Sequence, residues 1–157
     1  MKNNVSLFLL FAFLSVGMGA DNARQSQEDD IREAVFRWQF DHNVSGQQKK
    51  AKVYSLAVGE KYSDPSDQFM KRFADNQPPV RKRSECNADA GKGVLDKKTG
   101  EQGLLFHVTS IKWKSDAQVE VEGGYYEAGL SASGNIYTLK NERGNWKVTN
   151  DKLVEIS

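Results

Sequence analysis

The chain has 157 residues, with 22 Lys+Arg against 21 Asp+Glu, two His and one Cys. That length allows one folded domain and no second core, and a net charge of +1 excludes a nucleic-acid binder that works by bulk electrostatics. A hydrophobic share of 38% excludes a disordered chain, while one cysteine excludes an internal disulfide and any Cys-based zinc site.

Met1-Lys2-Asn3-Asn4 is a short basic start, followed by an apolar run from Val5 to Val16 and the small-residue exit Gly17-Met18-Gly19-Ala20. This order describes a secretory signal peptide over residues 1–20, cleaved after Gly19 or Ala20, with Ala23 as the alternative position. A permanent membrane span needs about 20 apolar residues, and this run is short for one; an uncleaved N-terminal anchor is the competing reading. The expected compartment is outside the cytoplasm, periplasmic or extracellular. Residues 21–29 read as a flexible polar segment, and residues 30–157 as one domain.

Ser26 and Asp29 mark a helix start, with a side-chain cap and an acid in the first turn. Ile31, Ala34, Val35 and Trp38 then recur at the spacing of a buried helical stripe, and Phe36 and Phe40 form a second stripe. Such a helix, apolar on more than one face, is expected in a concave surface and to end near His42.

Val53–Val58 reads as a strand. Asp64-Pro65 opens a short helix through Phe69, Met70 and Phe73. Pro78-Pro79 precedes an edge strand, Val80 to Arg83, and Cys86 to Gly103 reads as a long loop turning at Lys98-Thr99-Gly100. From Leu104 onward the pattern is strand after strand: Leu104–Lys114, Gln118–Tyr126, Asn135–Lys140, Trp146–Val148 and a tail strand near Leu153–Ile156. Turn-like linkers of this kind force antiparallel neighbours. Gly123-Gly124 inside a strand signals a bulge or bend that curls the sheet.

The helix 31–42, a short second helix, and a meander with Ile111-x-Trp113, Val119-x-Val121-x-Gly123-Gly124-Tyr125-Tyr126, Tyr137-x-Leu139 and Gly144-x-Trp146-x-Val148 resemble the nuclear transport factor 2-like (cystatin-like) superfamily, in particular its exported bacterial members. The resemblance covers roughly residues 30 to 156. It implies an α+β fold in which N-terminal helices pack in a curved antiparallel sheet, forming a cone with an open mouth. It implies no single activity, because a fold hosts many functions.

Enzymes of this superfamily commonly set a carboxylate beside a His or Tyr in the cone, to move a proton next to a carbonyl. His107 and Glu127 are the catalytic candidates on that reading. His107 has two placements. Unbroken alternation puts it on one face with Leu105, Ile111 and Trp113, inside the cavity; a bulge at Thr109-Ser110 instead joins Phe106 and Val108 to Ile111 and Trp113 and puts His107 outside. Trp38, Trp113, Tyr125 and Tyr137 are the ligand-binding candidates, with core packing as the competing role for each. His42 fits a helix end, Glu120 and Glu122 a solvated strand face, and Cys86 a packed thiol, although a free thiol in an oxidising compartment also offers a cross-link between chains. The basic run Val80-Arg81-Lys82-Arg83 fits a charged edge strand or a contact with an anionic partner. No metal cluster or cofactor motif is present, so neither is expected.

The expected function is a non-catalytic binding or interaction module for a small apolar or anionic ligand. The alternatives are a lyase or isomerase using a His/carboxylate pair, and a homodimerisation module.

Overall fold

The computed structural model describes residues 16–156 apart from 44, 48 and 90, with side chains described over residues 21–155. One long helix opens it: α1, Val16–His42. Ten further segments follow in chain order. They are β1 (Val53–Val58), α2 (Asp67–Met70, continued by a 3-10 turn at Lys71–Phe73), β2 (Val80–Lys82), β3 (Cys86–Asp89), β4 (Gly93–Asp96), β5 (Gln102–Ser115), β6 (Gln118–Ala128), β7 (Ser131–Glu142) and β8 (Asn145–Ile156), with a 3-10 turn at Arg83–Glu85 between β2 and β3.

The eight strands form one sheet with the order β2-β1-β5-β6-β7-β8, and β4 joins β5 while carrying β3. Strand accounts for 50% of the molecule and helix for 24%, so a sheet with one long helix replaces the expected helices enclosed in a curved antiparallel cone. The reason lies in β1. It runs parallel to both of its neighbours, with Tyr54 opposite Val80 and Leu56 opposite Phe106. The connections leaving β1 are crossovers, through α2 to β2 and through the β3–β4 hairpin to β5, and crossovers permit parallel pairing where tight turns do not. The meander β5–β8 is antiparallel, as its short linkers require.

The helix does not start at Ser26. It runs unbroken from Val16, and its polar first half is held by pairs one turn apart: Arg24 with Glu28, and Arg32 with both Glu28 and Asp29. The Arg24 guanidinium also lies 3.7 Å from the Trp113 ring centre, docking this half against β5. The leader expected over residues 1–20 falls mainly outside the described residues; Val16–Ala20 form the start of α1.

α1 lies across one face of the sheet. Ile31, Val35 and Phe36 are fully buried and Phe40 nearly so. Phe40 meets Tyr54, Phe73 and Phe106 with ring centres 4.7–5.9 Å apart, and Phe36 meets Phe69 and Phe73. This aromatic cluster joins α1, α2, β1 and β5 into one core. Aromatic burial of this kind is the largest stabilising contribution available to a small domain.

The other face carries a smaller core of Val53, Ala57, Cys86, Val94 and Leu105 under the β3–β4 hairpin. That hairpin lies in the segment expected as a loop. The turn expected after it is present: Asp96 accepts from the main-chain N–H of Lys98 and of Thr99, and Gly100 takes φ +73°. The cap of α2 is Ser66, whose hydroxyl accepts from Phe69 N, rather than Asp64, which accepts from both the N–H and the hydroxyl of Ser84.

Candidate functional site: two cavities on opposite faces of the sheet

The register of β5 against β6 slips between Val108, opposite Gly123, and Ser110, opposite Glu122, so Thr109 is bulged. Phe106 and Val108 therefore share the helix-side face with Ile111 and Trp113, and His107 points to the outer face with Leu105. Outside does not mean solvated here. The Tyr62 ring covers the imidazole at 4.9 Å between ring centres, and Nδ1 is buried without a hydrogen-bond partner. Burial lowers the His107 pKa to about 4, so the ring is neutral at physiological pH.

Around His107 lies a cavity of about 370 Å³ walled by Tyr62, Leu105, Tyr126 and Ala132, with Glu155 as its charged member. Tyr62 reaches it from a tight turn. Val58 and Ser63 exchange two main-chain hydrogen bonds of 2.9 Å, Gly59 takes φ +73°, and Tyr62 itself sits at φ +52°. A tyrosine in the left-handed region is uncommon and costs of order 1 kcal/mol or more, which marks the turn as one that fixes this ring in place. Sequence reading passed over Tyr62; its signal was Gly59 in a five-residue link between a strand and Asp64-Pro65.

Glu127 is not the partner of His107. It occupies a second bulge, in β6, and its Oε2 accepts from the hydroxyls of Ser45 at 2.7 Å and Ser131 at 2.9 Å. It clips the segment after α1 to the β6–β7 turn. Among the described residues no hydrogen bond or ion pair joins His107 to any carboxylate or phenol.

On the helix side, under the last turns of α1, lies a cleft of about 210 Å³ that includes Gln39, His42, Tyr137 and Asp151. Gln39, only 2% exposed, donates from Nε2 to the main-chain oxygens of His107 and Gly124 and to the Tyr137 hydroxyl, at 3.2–3.3 Å. Two of these acceptors are carbonyls, which fixes the amide orientation and leaves Oε1 buried without a partner. Asp151 accepts from Trp38 Nε1 at 2.9 Å and from Asn135 Nδ2 at 2.6 Å. His42 stacks on Trp38 with ring centres 3.7 Å apart, and its Nδ1 meets Trp38 O at 3.0 Å. It sits at the helix end, as its place in the sequence implied.

The ligand-binding candidates divide accordingly. Tyr137 lines the helix-side cleft, Tyr125 borders both cavities, and Trp38 reaches the cleft through Asp151. Trp113 lies elsewhere, edge-on to Trp146 at 5.5 Å and under Arg24. Gln39, Asp151 and Tyr62 were in no candidate set.

The basic run is consumed internally: Arg81 pairs with the buried Asp96, Lys82 with Asp67, and Arg83 donates to Cys86 O. Burial alone raises the Asp96 carboxyl, but the N–H groups of Lys98 and Thr99 and the Arg81 guanidinium together hold it below the usual range. Cys86 is 1% exposed, and burial pushes its thiol up, as for a packed residue and not a nucleophile. Among the described residues no group of His, Cys, Asp and Glu is placed to hold a metal ion, and no helix is long and apolar enough to cross a membrane.

No family model, no curated protein and no solved structure matches this chain, so nothing in these comparisons identifies the nuclear transport factor 2-like superfamily.

Proposed function

We propose that the chain is an exported, non-catalytic binding module whose ligand, a small and largely apolar ring compound, occupies the outer-face cavity at His107. The carrying observation is the cavity wall: aromatic and aliphatic side chains around one neutral imidazole whose Nδ1 has no partner. Small-molecule sites are typically pockets of about 300–1,000 Å³, mostly apolar, with few polar groups that orient the ligand, and the roughly 370 Å³ here lies in that range. Export is supported by the Lys2 start, the Val5–Val16 run and the small-residue exit.

An anionic ligand is disfavoured in this cavity. Among the described residues no Lys or Arg lines it, His107 is neutral, and Glu155 repels negative charge. Proton-transfer catalysis lacks its pair, because Glu127 is bound to two serines and His107 to no acid. The test is titration with indole, followed by the His107 imidazole resonances. Saturable shifts are expected in the parent and their loss in Ala132→Phe, which fills the cavity from β7. Indole that leaves His107 unmoved, or binds Ala132→Phe equally, would exclude the site.

A further inference from the structure

We infer that the helix-side cleft is a second binding site, selective for a small organic ammonium ion. This goes beyond the proposed function and rests on different residues. Asp151 is the charge of the cleft, and both of its hydrogen-bond partners, Trp38 Nε1 and Asn135 Nδ2, are neutral donors. Among the described residues no Lys or Arg lines the cleft, so no basic side chain there offsets the carboxylate. A part-buried carboxylate without a counter-ion attracts a cation more strongly than the same group in bulk water.

A second observation is independent of Asp151. Among the described residues Gln39 Oε1 is a buried acceptor with no donor, on a residue 2% exposed that lines the same cleft. A buried unpaired acceptor is costly, and a ligand N–H relieves that cost on binding. Tyr137 is held as the neutral phenol, since burial and then the Asp151 charge push its hydroxyl up. His42 lines the same cleft and turns its Nδ1 to the Trp38 carbonyl. Carboxylate and amide oxygen make an acceptor set, and a primary ammonium brings three N–H donors and one positive charge. The volume, about 210 Å³, equals about seven waters at about 30 Å³ each and limits the ligand to a small amine.

Trp38 supplies the reporter, because its indole N–H donates to Asp151. Propylamine, cationic at neutral pH, is titrated into the isotope-labelled chain against 1-propanol, its neutral match in shape. The Trp38 indole resonance should shift and saturate with propylamine, those of Trp113 and Trp146 should stay, and propanol should bind at least about tenfold more weakly. Asp151→Asn should lose at least about tenfold in propylamine affinity. Should that variant misfold, the parent decides by its preference for propylamine over propanol. A Trp38 resonance unmoved by propylamine, or an equal response to propanol, would overturn the inference. Indole at His107 reads the other cavity, so either site can fail alone.

Discussion

Gln39 Nε2, on the last turns of α1, lies 3.2 Å from the main-chain oxygen of His107 on β5 and donates to it. The same nitrogen reaches Gly124 O, directly across the β5–β6 ladder from His107. A helix side chain thus donates to two facing strands beside a bulge, and joins the floors of both cavities. Gln39→Ala removes these donors and is expected to destabilise the fold by about 2 kcal/mol. Gln39→Glu should be worse, since it sets a carboxylate oxygen against two carbonyls. Thermal melts of both variants check the order, and a Glu variant as stable as the parent would contradict the amide orientation.

Gly124 admits no side chain. A Cβ there would collide with Ser133 O, and one at Gly123 with His107 O, because the strands close tightly around the bulge. Gly124→Ala is expected to cost more than about 4 kcal/mol or to prevent folding. Gly46→Ala meets open space and should stay within about 0.5 kcal/mol of the parent. Denaturant titration of the pair measures the contrast.

Glu127 has a structural role that can be separated from binding. Glu127→Ala removes the two serine hydrogen bonds and should cost about 1–3 kcal/mol. Indole affinity at the His107 cavity should be unchanged. An indole affinity that falls with Glu127→Ala would place this carboxylate in the binding machinery.

Acid stability should carry a His107 signature. Its folded pKa of about 4 lies below the unfolded value of about 6.5, so between these values the unfolded chain binds more protons than the native one. Stability therefore falls as pH drops from about 6.5 to 4, by up to about 3 kcal/mol, and this contribution levels off below 4. The depressed carboxyls of Asp64, Asp67 and Asp96 act in a lower window, losing stability as pH falls below the ordinary carboxylate range. His107→Gln should remove the upper phase and leave the lower one, as read from unfolding midpoints against pH.

Local signals in the sequence were legible where one segment decides its own structure. Val53–Val58 has the composition of a buried strand, and it forms β1 with those bounds. The bulge at Thr109 was one of two readings of β5, separable only by whether Val108 and Ile111 share a face. Pairing partners were not legible: β1 is parallel because of what its crossovers do, and nothing within six residues records that. The β3–β4 hairpin was hidden because its four-residue strands are rich in Asp, Gly and Asn, which weaken the strand signal. Among the site residues, Gln39 did carry a signal, lying eight residues beyond Ile31 and four beyond Val35 on the buried stripe. A polar residue there has to find a partner inside. Asp151 carried none, since it falls between the strands expected at Trp146–Val148 and Leu153–Ile156, whereas β8 runs through it unbroken.

The binding reading stands on an imidazole that is neutral, unpaired and covered by Tyr62. NMR titration of the His107 ring resonances measures this directly. A midpoint near 4, with one neutral form persisting through pH 7 and shifts on adding indole, is the expected result. A midpoint near or above 6.5, unaffected by Tyr62→Ala, would mean a solvated or acid-paired histidine, and would contradict the neutral binding cavity.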